Sequence, residues 1–275
     1  MSMRVIIGID LLVQGHDWLI ERAARFAAVI DAVVDLVFVT GSPTKEHEAL
    51  LAGLLTLLPE PQRGVSRVES GDPPEVLIRL TGEYDALVVG PREPAMLQRW
   101  LNGPMAVRIL HRSVCPILVP RGERPPTPKP RMLAGIDVNG AAFDAVLEFS
   151  TTWAQRLNGV LDGVYALPAA LPAIANKAVR EEAEKEWMAT KEPERQRLAA
   201  KLMQIPPPHR GEALLRAGEP EDVLLHMSND YDVLLVGNRG RSGLSRLIMG
   251  NVAHRVVRNA NCDVLVLPTA AMFDI

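Results

Sequence analysis

Cysteine is nearly absent. The chain has two in 275 residues, Cys115 and Cys262, too few for a disulfide framework. Charge of one sign is not in excess: the formal net charge is −3, which argues against a nucleic-acid or membrane-surface partner. No apolar run approaches the roughly 18–20 residues of a membrane span. Met1, Ser2, Met3 and Arg4 lead straight into an apolar strand pattern without a signal-peptide layout, so the cytoplasm is the expected compartment. Two phosphate motifs are missing. No lysine stands in a G-x-x-x-x-G-K-S/T loop, and no G-x-G-x-x-G dinucleotide fingerprint is present. The six histidines show no zinc spacing, and no Ser-His-Asp spacing can be argued, so neither a metal site nor a catalytic residue is expected.

Apolar runs alternating with helical patterns fill the chain instead. Val5, Ile6, Ile7, Gly8 and Ile9 end in Asp10, a run suited to a strand buried on both faces. Residues 16–30 carry helical spacing. Runs at 33–39, 65–69, 86–89 and 116–119 read as strands. The segments 45–58 and 99–111 read as helices, and Pro73 and Pro74 open a short one between them. Such alternation predicts an α/β fold with a parallel sheet covered on both faces.

The pattern then starts again. Residues 121–131 hold four prolines and four positive charges and read as a stiff, extended linker. Gly8, Ile9 and Asp10 recur 127 positions later as Gly135, Ile136 and Asp137. Tyr84, Asp85 and the run to Gly90 recur 147 positions later as Tyr231, Asp232 and the run to Gly237, and Cys115 recurs as Cys262. This is an internal repeat. The offset jumps by 20, which places one insertion in the second copy within residues 168–210. Residues 178–203 read as a charged, partly solvated helical excursion broken at Pro193. The repeated cysteines precede buried-looking strands and read as core residues.

One stretch stands out. Val236 and Gly237 end an apolar run, and Asn238, Arg239, Gly240, Arg241, Ser242 and Gly243 follow, with Gly250, Asn251 and Val252 opening a helical pattern. Glycines let the backbone approach a ligand, and free N–H groups at a helix N-terminus attract phosphate. Arg239, Arg241 and Arg246 add positive potential, and His254 lies one turn into the helix. The stretch reads as an anion cradle. Asn251 suits a helix N-cap equally well.

The glycine spacing Gly237-x2-Gly240-x9-Gly250, followed by a polar residue, resembles the ATP-binding signature of the universal stress proteins. The Asp closing each first strand and the Gly-x-Pro segments before the third helix match the same family. The whole chain resembles a tandem universal stress protein, with one domain in residues 1–120, a linker at 121–131 and a second domain in 132–275. The resemblance implies a five-stranded parallel sheet per domain, strand order 3-2-1-4-5, with helices on both faces. It also implies that the final strands of the two domains pair edge to edge, covering an exposed edge. Ligands favour the crevice where that strand order reverses. Carried over residue by residue, Asp137 and Val164 meet the adenine or ribose end and Val236 and Gly237 line the floor. Gly240, Gly250, Asn251 and Val252 hold the phosphates, with Arg239 beside them. Asn251 stands where the family usually has Ser or Thr, though its amide can still donate to phosphate.

The first copy departs further. It reads Gly90, Pro91, Arg92, Glu93 and later Gly103, Pro104. Glu93 replaces the second glycine. A carboxylate about 4 Å from a phosphate charge costs up to about 4 kcal/mol at an effective dielectric near 20, and Pro104 lacks a backbone N–H. The first half is expected to bind ATP poorly or not at all. The expectation is therefore an ATP-binding (or other adenine-nucleotide-binding) regulator with its site in the second half, Mg2+ being an optional companion and ATP hydrolysis at most weak. A slow ATPase and a nucleotide-free interaction scaffold stay open as alternatives, as do a homodimer and an unidentified protein partner.

Overall fold

The structure, a computed structural model, describes residues 2–11, 15–90, 103–121, 127–168, 177–238 and 251–269. Its first-half strands are β1 (Met3–Ile9), β2 (Ala32–Thr40), β3 (Arg63–Ser70), β4 (Ala86–Val88) and β5 (Ile117–Val119). The second half supplies β6 (Arg131–Gly135), β7 (Val160–Leu167), β8 (Arg210–Ala217), β9 (Val233–Gly237) and β10 (Asp263–Leu267). All ten form one sheet, ordered β3-β2-β1-β4-β5-β10-β9-β6-β7-β8. Each half thus has the order 3-2-1-4-5 and is parallel within itself.

The described helices are α1 (His16–Val29), α2 (Lys45–Leu55), α3 (Pro73–Leu80) and α4 (Pro104–Arg112) in the first half. They are followed by α5 (Phe143–Arg156), α6 (Lys177–Thr190), α7 (Glu192–Leu202), α8 (Pro220–Met227) and α9 (Asn251–Asn259). They cover both faces, as period-2 side-chain alternation along doubly buried strands requires. One apolar cluster gathers Val5, Ile7 and Ile9 of β1 under α1, α2, α5 and α7. The other gathers Ile6, Leu133, Leu234 and Val264 under α3, α4, α8 and α9. Both clusters run through both halves.

The offset of 147 already holds at the helix before the third strand. Leu51 on α2 and Leu198 on α7 are both fully buried, so α7 fills the place of α2. Among the described residues the extra element is α6, which places the insertion in the stretch before Glu192. The expected break is present: α6 ends at Thr190 and α7 begins at Glu192, with Pro193 in its first turn, where its missing N–H costs nothing. The excursion is also more than a solvated face. Trp187 and Met188 of α6 pack on the core, and α6 lies over β8, the outer strand of the sheet.

A buried polar cluster, repeated in each half, locks the amino ends of the strands. In the first half Tyr84 donates to Asp35 Oδ2 (2.6 Å) and the Val65 amide to Asp35 Oδ1 (2.8 Å). The Arg4 guanidinium pairs with the same carboxylate and stacks over the Tyr84 ring at 4.8 Å. In the second half Tyr231 donates to Asp162 Oδ2 (2.6 Å), the Glu212 amide donates to Asp162 Oδ1 (2.7 Å), and Arg131 stacks over Tyr231 at 4.7 Å. The strand-leading amides of Arg4 and Arg131 donate to Asp85 and Asp232, each at 2.8 Å. Burial, helped by the bond to Asp35, pushes the Tyr84 hydroxyl up to about 12. Tyr84 and Tyr231 therefore remain donors. Gly64 and Gly211 make the cluster fit, because a Cβ at either position would overlap the Asp35 or Asp162 carboxylate.

The two halves meet where β5 and β10 pair antiparallel, Val119 with Val264, Leu118 with Leu265 and Ile117 with Val266. The expected edge-to-edge pairing of final strands is therefore present. On one face Phe26 of α1 stacks on Trp153 of α5, ring centroids 5.5 Å apart. Beside them Arg22 grips both carboxylate oxygens of Asp263 at 2.6 Å. On the other face Asn238, fully buried just after β9, donates to the His111 carbonyl at the end of α4 (3.2 Å). Its own oxygen accepts from the Thr269 amide (3.0 Å) and hydroxyl (2.8 Å).

Two stability outcomes follow and can be read by urea denaturation. Gly211→Ala forces the Asp162 side chain aside and should lower stability by about 1–3 kcal/mol, whereas Gly41→Ala, with nothing within 4 Å of the added carbon, should stay within about 0.5 kcal/mol. Asn238→Ala leaves buried partners unmet in both halves and should cost about 1–3 kcal/mol. An unchanged Gly211→Ala or Asn238→Ala protein would contradict these assignments.

Candidate functional site

β6 is the point where the second half reverses direction. Its neighbours are β7 on one side and β9 on the other, so the loops leaving β6 and β9 diverge above a crevice at the carboxyl ends. Asp137 does not end the strand, as the sequence pattern suggests, but lies two residues past the last residue of β6, Gly135. Ile136 extends the ladder by donating to the Val164 carbonyl (2.9 Å).

The half-buried Asp137 is held by a tight turn. Its carboxylate accepts from the Asn139 amide (3.2 Å) and its carbonyl from the Gly140 amide (3.0 Å). A Cβ on Gly140 would sit 3.1 Å from the Asp137 carboxyl, so a side chain there would crowd the group. Asn139 reaches back to the Tyr165 hydroxyl on β7 (3.0 Å). Asn139, Gly140 and Tyr165 are not singled out by the glycine spacing. The signal for them is weak: a D-x-N-G turn directly after a buried run, which marks an Asx turn.

Val164 and Val236 are almost wholly buried and share a cluster with Leu224 of α8. They form a floor through packing. Val252, half-buried on α9, joins the same cluster, so its side chain faces the core. Gly237 closes β9 in register with Leu267. Gly135 lets α8 come down on the sheet, since a Cβ there would lie 2.8 Å from Leu224 Cδ1. Arg239, Gly240 and Gly250 lie outside the described residues, as do Arg241 and Arg246. Of Asn251 the backbone is described, as the first residue of α9. Because α9 links two parallel strands, it runs back against them, and its N-terminus opens at the carboxyl ends of the strands. A helix N-terminus there carries a partial positive charge.

The structure thus brings Asp137, Val164, Val236, Gly237 and the start of α9 to one end of the sheet. A carboxylate, an apolar floor and a helix N-terminus can receive a ligand that is polar at one end, flat and apolar in the middle and anionic at the other. Asn238 turns away from this end into the seam. The first copy has Pro91 at the matching position, which has no side-chain donor. The first-half counterpart of Asp137, Asp10, is exposed rather than half-buried, and Glu93 falls outside the described residues. Cys115 and Cys262 are free and buried, and burial pushes the Cys115 thiol up to about 12, as befits core residues. Among the described residues no group of three or more His, Cys, Asp or Glu could hold a metal ion, and no helix is long and apolar enough to cross a membrane.

A family model described as the universal stress protein family matches residues 130–268. Over 208 residues the chain is 25% identical to a universal stress protein of Mycobacterium tuberculosis, an alignment covering 70% of this chain and 65% of that protein. The chain therefore spans 65% of the length of that relative. Over 107 residues it is 30% identical to a universal stress protein of Synechocystis, covering 36% of this chain and 94% of the other. Among solved structures, a protein of unknown function from Pseudomonas aeruginosa PAO1 shares the fold across 99% of this chain and 95% of its own, with a TM-score of 0.67 at 20% identity. The match at 130–268 takes in the whole second half of the sheet, half of the chain, and on that ground the chain belongs to the universal stress protein family.

Proposed function

We propose that the chain is a tandem of two universal stress protein domains, residues 1–120 and 132–275 joined by 121–131, of which the second binds ATP or a related adenine nucleotide. The observation that carries this reading is the convergence at the β6–β9 switch point. Asp137 is fixed in its turn, Val164 and Val236 form an apolar floor, and α9 begins at the same end. The repeated strand order and the repeated Asp–Tyr clusters support two domains of one kind.

In this reading the Asp137 carboxylate accepts from ribose hydroxyls, which its turn leaves it oriented to do. The adenine lies over the Val164 and Val236 side of the crevice. Gly237, Gly240 and Gly250 keep the loop free of side-chain bulk, Arg239 adds positive charge, and the amides at the start of α9 with Asn251 and Val252 receive the phosphates. Mg2+, where present, would be held chiefly by the phosphates. The protein is a binder whose surface reports occupancy to a partner in the cytoplasm, and the shift it can produce is bounded by the nucleotide's preference between two states. In the first domain Glu93 and Pro104 weaken the corresponding site.

Small molecules released from the denatured full-length protein, identified by mass spectrometry, should contain adenine nucleotide near one per chain. Gly240→Glu should abolish it. The double variant Glu93→Gly and Pro104→Ser should raise the stoichiometry toward two in calorimetric titration with ATP. Two nucleotides per wild-type chain would refute the proposed asymmetry, and none, together with no thermal shift on adding ATP, would refute nucleotide binding.

A further inference from the structure

The ten-stranded sheet ends in two outer strands, β3 and β8. An open edge offers unpaired N–H and C=O groups to any strand that meets it. At β8 the extra helix α6 lies over the strand, with Trp187 and Met188 packed on the core. The first half has no counterpart of α6 among the described residues, where β3 pairs with β2 alone. The Val65 amide of β3 donates to Asp35 (2.8 Å), and the Gly71 amide just after the strand donates to the Thr40 carbonyl (3.1 Å). Backbone groups alternate sides along a strand, so Ser66, Val68 and Ser70 turn their N–H and C=O groups outward. Ser66, Arg67, Val68 and Glu69 are half-buried and Ser70 is exposed.

That edge reads Ser66-Arg67-Val68-Glu69-Ser70. Laid antiparallel against itself about Val68, it puts Ser66 opposite Ser70, Val68 opposite Val68 and Arg67 opposite Glu69. The Arg67–Glu69 pairs fall at the non-hydrogen-bonded positions, where facing side chains come closest. Opposite charges so placed favour the pairing, and like charges would oppose it. Both side chains have contacts within their own chain: Arg67 donates to the Tyr84 hydroxyl, and Glu69 accepts from Arg79 (3.2 Å). They stay 29% and 27% exposed, so a second strand can reach them, and the Arg79–Glu69 pair then runs on into Arg67 of the other copy. The matching stretch of β8, from Ala213 to Ala217, sets Leu214 against Arg216 when laid on itself and has no such charge symmetry.

We infer that β3 is a self-association edge: two copies of the chain pair their β3 strands antiparallel, about a two-fold axis at Val68, into one continuous sheet. The same surface is used on both copies, so the contact closes as a dimer. A head-to-tail joining of β3 to β8 would run on as a fibre, but α6 lies over the strand it would need. The contact is at the far end of the sheet from β6 and β9 and leaves that crevice open in both copies. Its charge pairs sit near solvent, so its strength falls with added salt.

Sedimentation equilibrium of the full-length chain over a concentration series, in low and in high salt, tests this. The wild type should pass from monomer to dimer and no further, and high salt should weaken the dimer. Glu69→Lys sets like charges opposite each other and should weaken it by roughly tenfold or more. Ser70→Pro removes an outward N–H without touching the ladder to β2 and should weaken it as well. Both variants should keep the far-ultraviolet circular dichroism of the wild type. Arg216→Glu, the corresponding position on β8, should leave the association unchanged. A wild type that stays monomeric throughout, leaving the edge to solvent or to a foreign strand, overturns the inference. So does either β3 variant if it is folded and dimerises as tightly as the wild type, and so does dissociation by Arg216→Glu.

Discussion

Three residue pairs between β5 and β10 hold the architecture together. A five-stranded open sheet of order 3-2-1-4-5 leaves its last strand with unpaired N–H and C=O groups. Here each half satisfies the other's. The pairing is antiparallel, so the halves are related by a turn about the seam rather than by a shift along it. That rotation puts α1 and α5 on the same face, where Phe26 and Trp153 stack, and α4 beside the carboxyl end of β9, where Asn238 reaches it. The apolar clusters on both faces then run on without a break.

The same seam separates two kinds of chemistry. At the carboxyl ends of β6 and β9, polar groups converge where strand order reverses. At the seam, Arg22 pairs with Asp263, which also accepts from the Arg121 amide. Asn238, which anchors the α4 carbonyl, immediately precedes the glycine stretch in sequence.

Stability at the opposite end of the sheet comes from a device used twice. Asp35 and Asp162 each accept from a tyrosine hydroxyl and a backbone amide, and each lies under an arginine. A buried carboxylate is tolerable only when its lone pairs are met, and here they are met by residues from three other strands or their leads. Slipping any one strand by a residue would turn its side chains to the other face and undo the cluster. The polar set thus specifies register, leaving the apolar runs to supply burial.

Much of this was legible along the chain. The alternation of apolar runs and helical periods, the repeat at offsets of 127 and 147, and the glycine spacing together determined the α/β class, the two copies and the family, because strand burial, helix periodicity and turn chemistry are local. Tyr84 and Tyr231 stood in the repeat, but nothing nearby said that their partners would be Asp35 and Asp162, 49 and 69 positions away. Residues 178–203 read as a solvated excursion because charge pattern alone cannot show that Leu198 and Leu202 of α7 go inward. Asn238 looked like part of a ligand loop, and Arg121 looked like one more charge in a stiff linker. Only the tertiary structure decided that one bridges the halves and that the other, through its backbone amide, meets the Asp263 carboxylate at the head of β10. Such outcomes depend on which groups meet across the sheet, and that follows from the antiparallel joining of β5 to β10 rather than from any residue's neighbours in sequence.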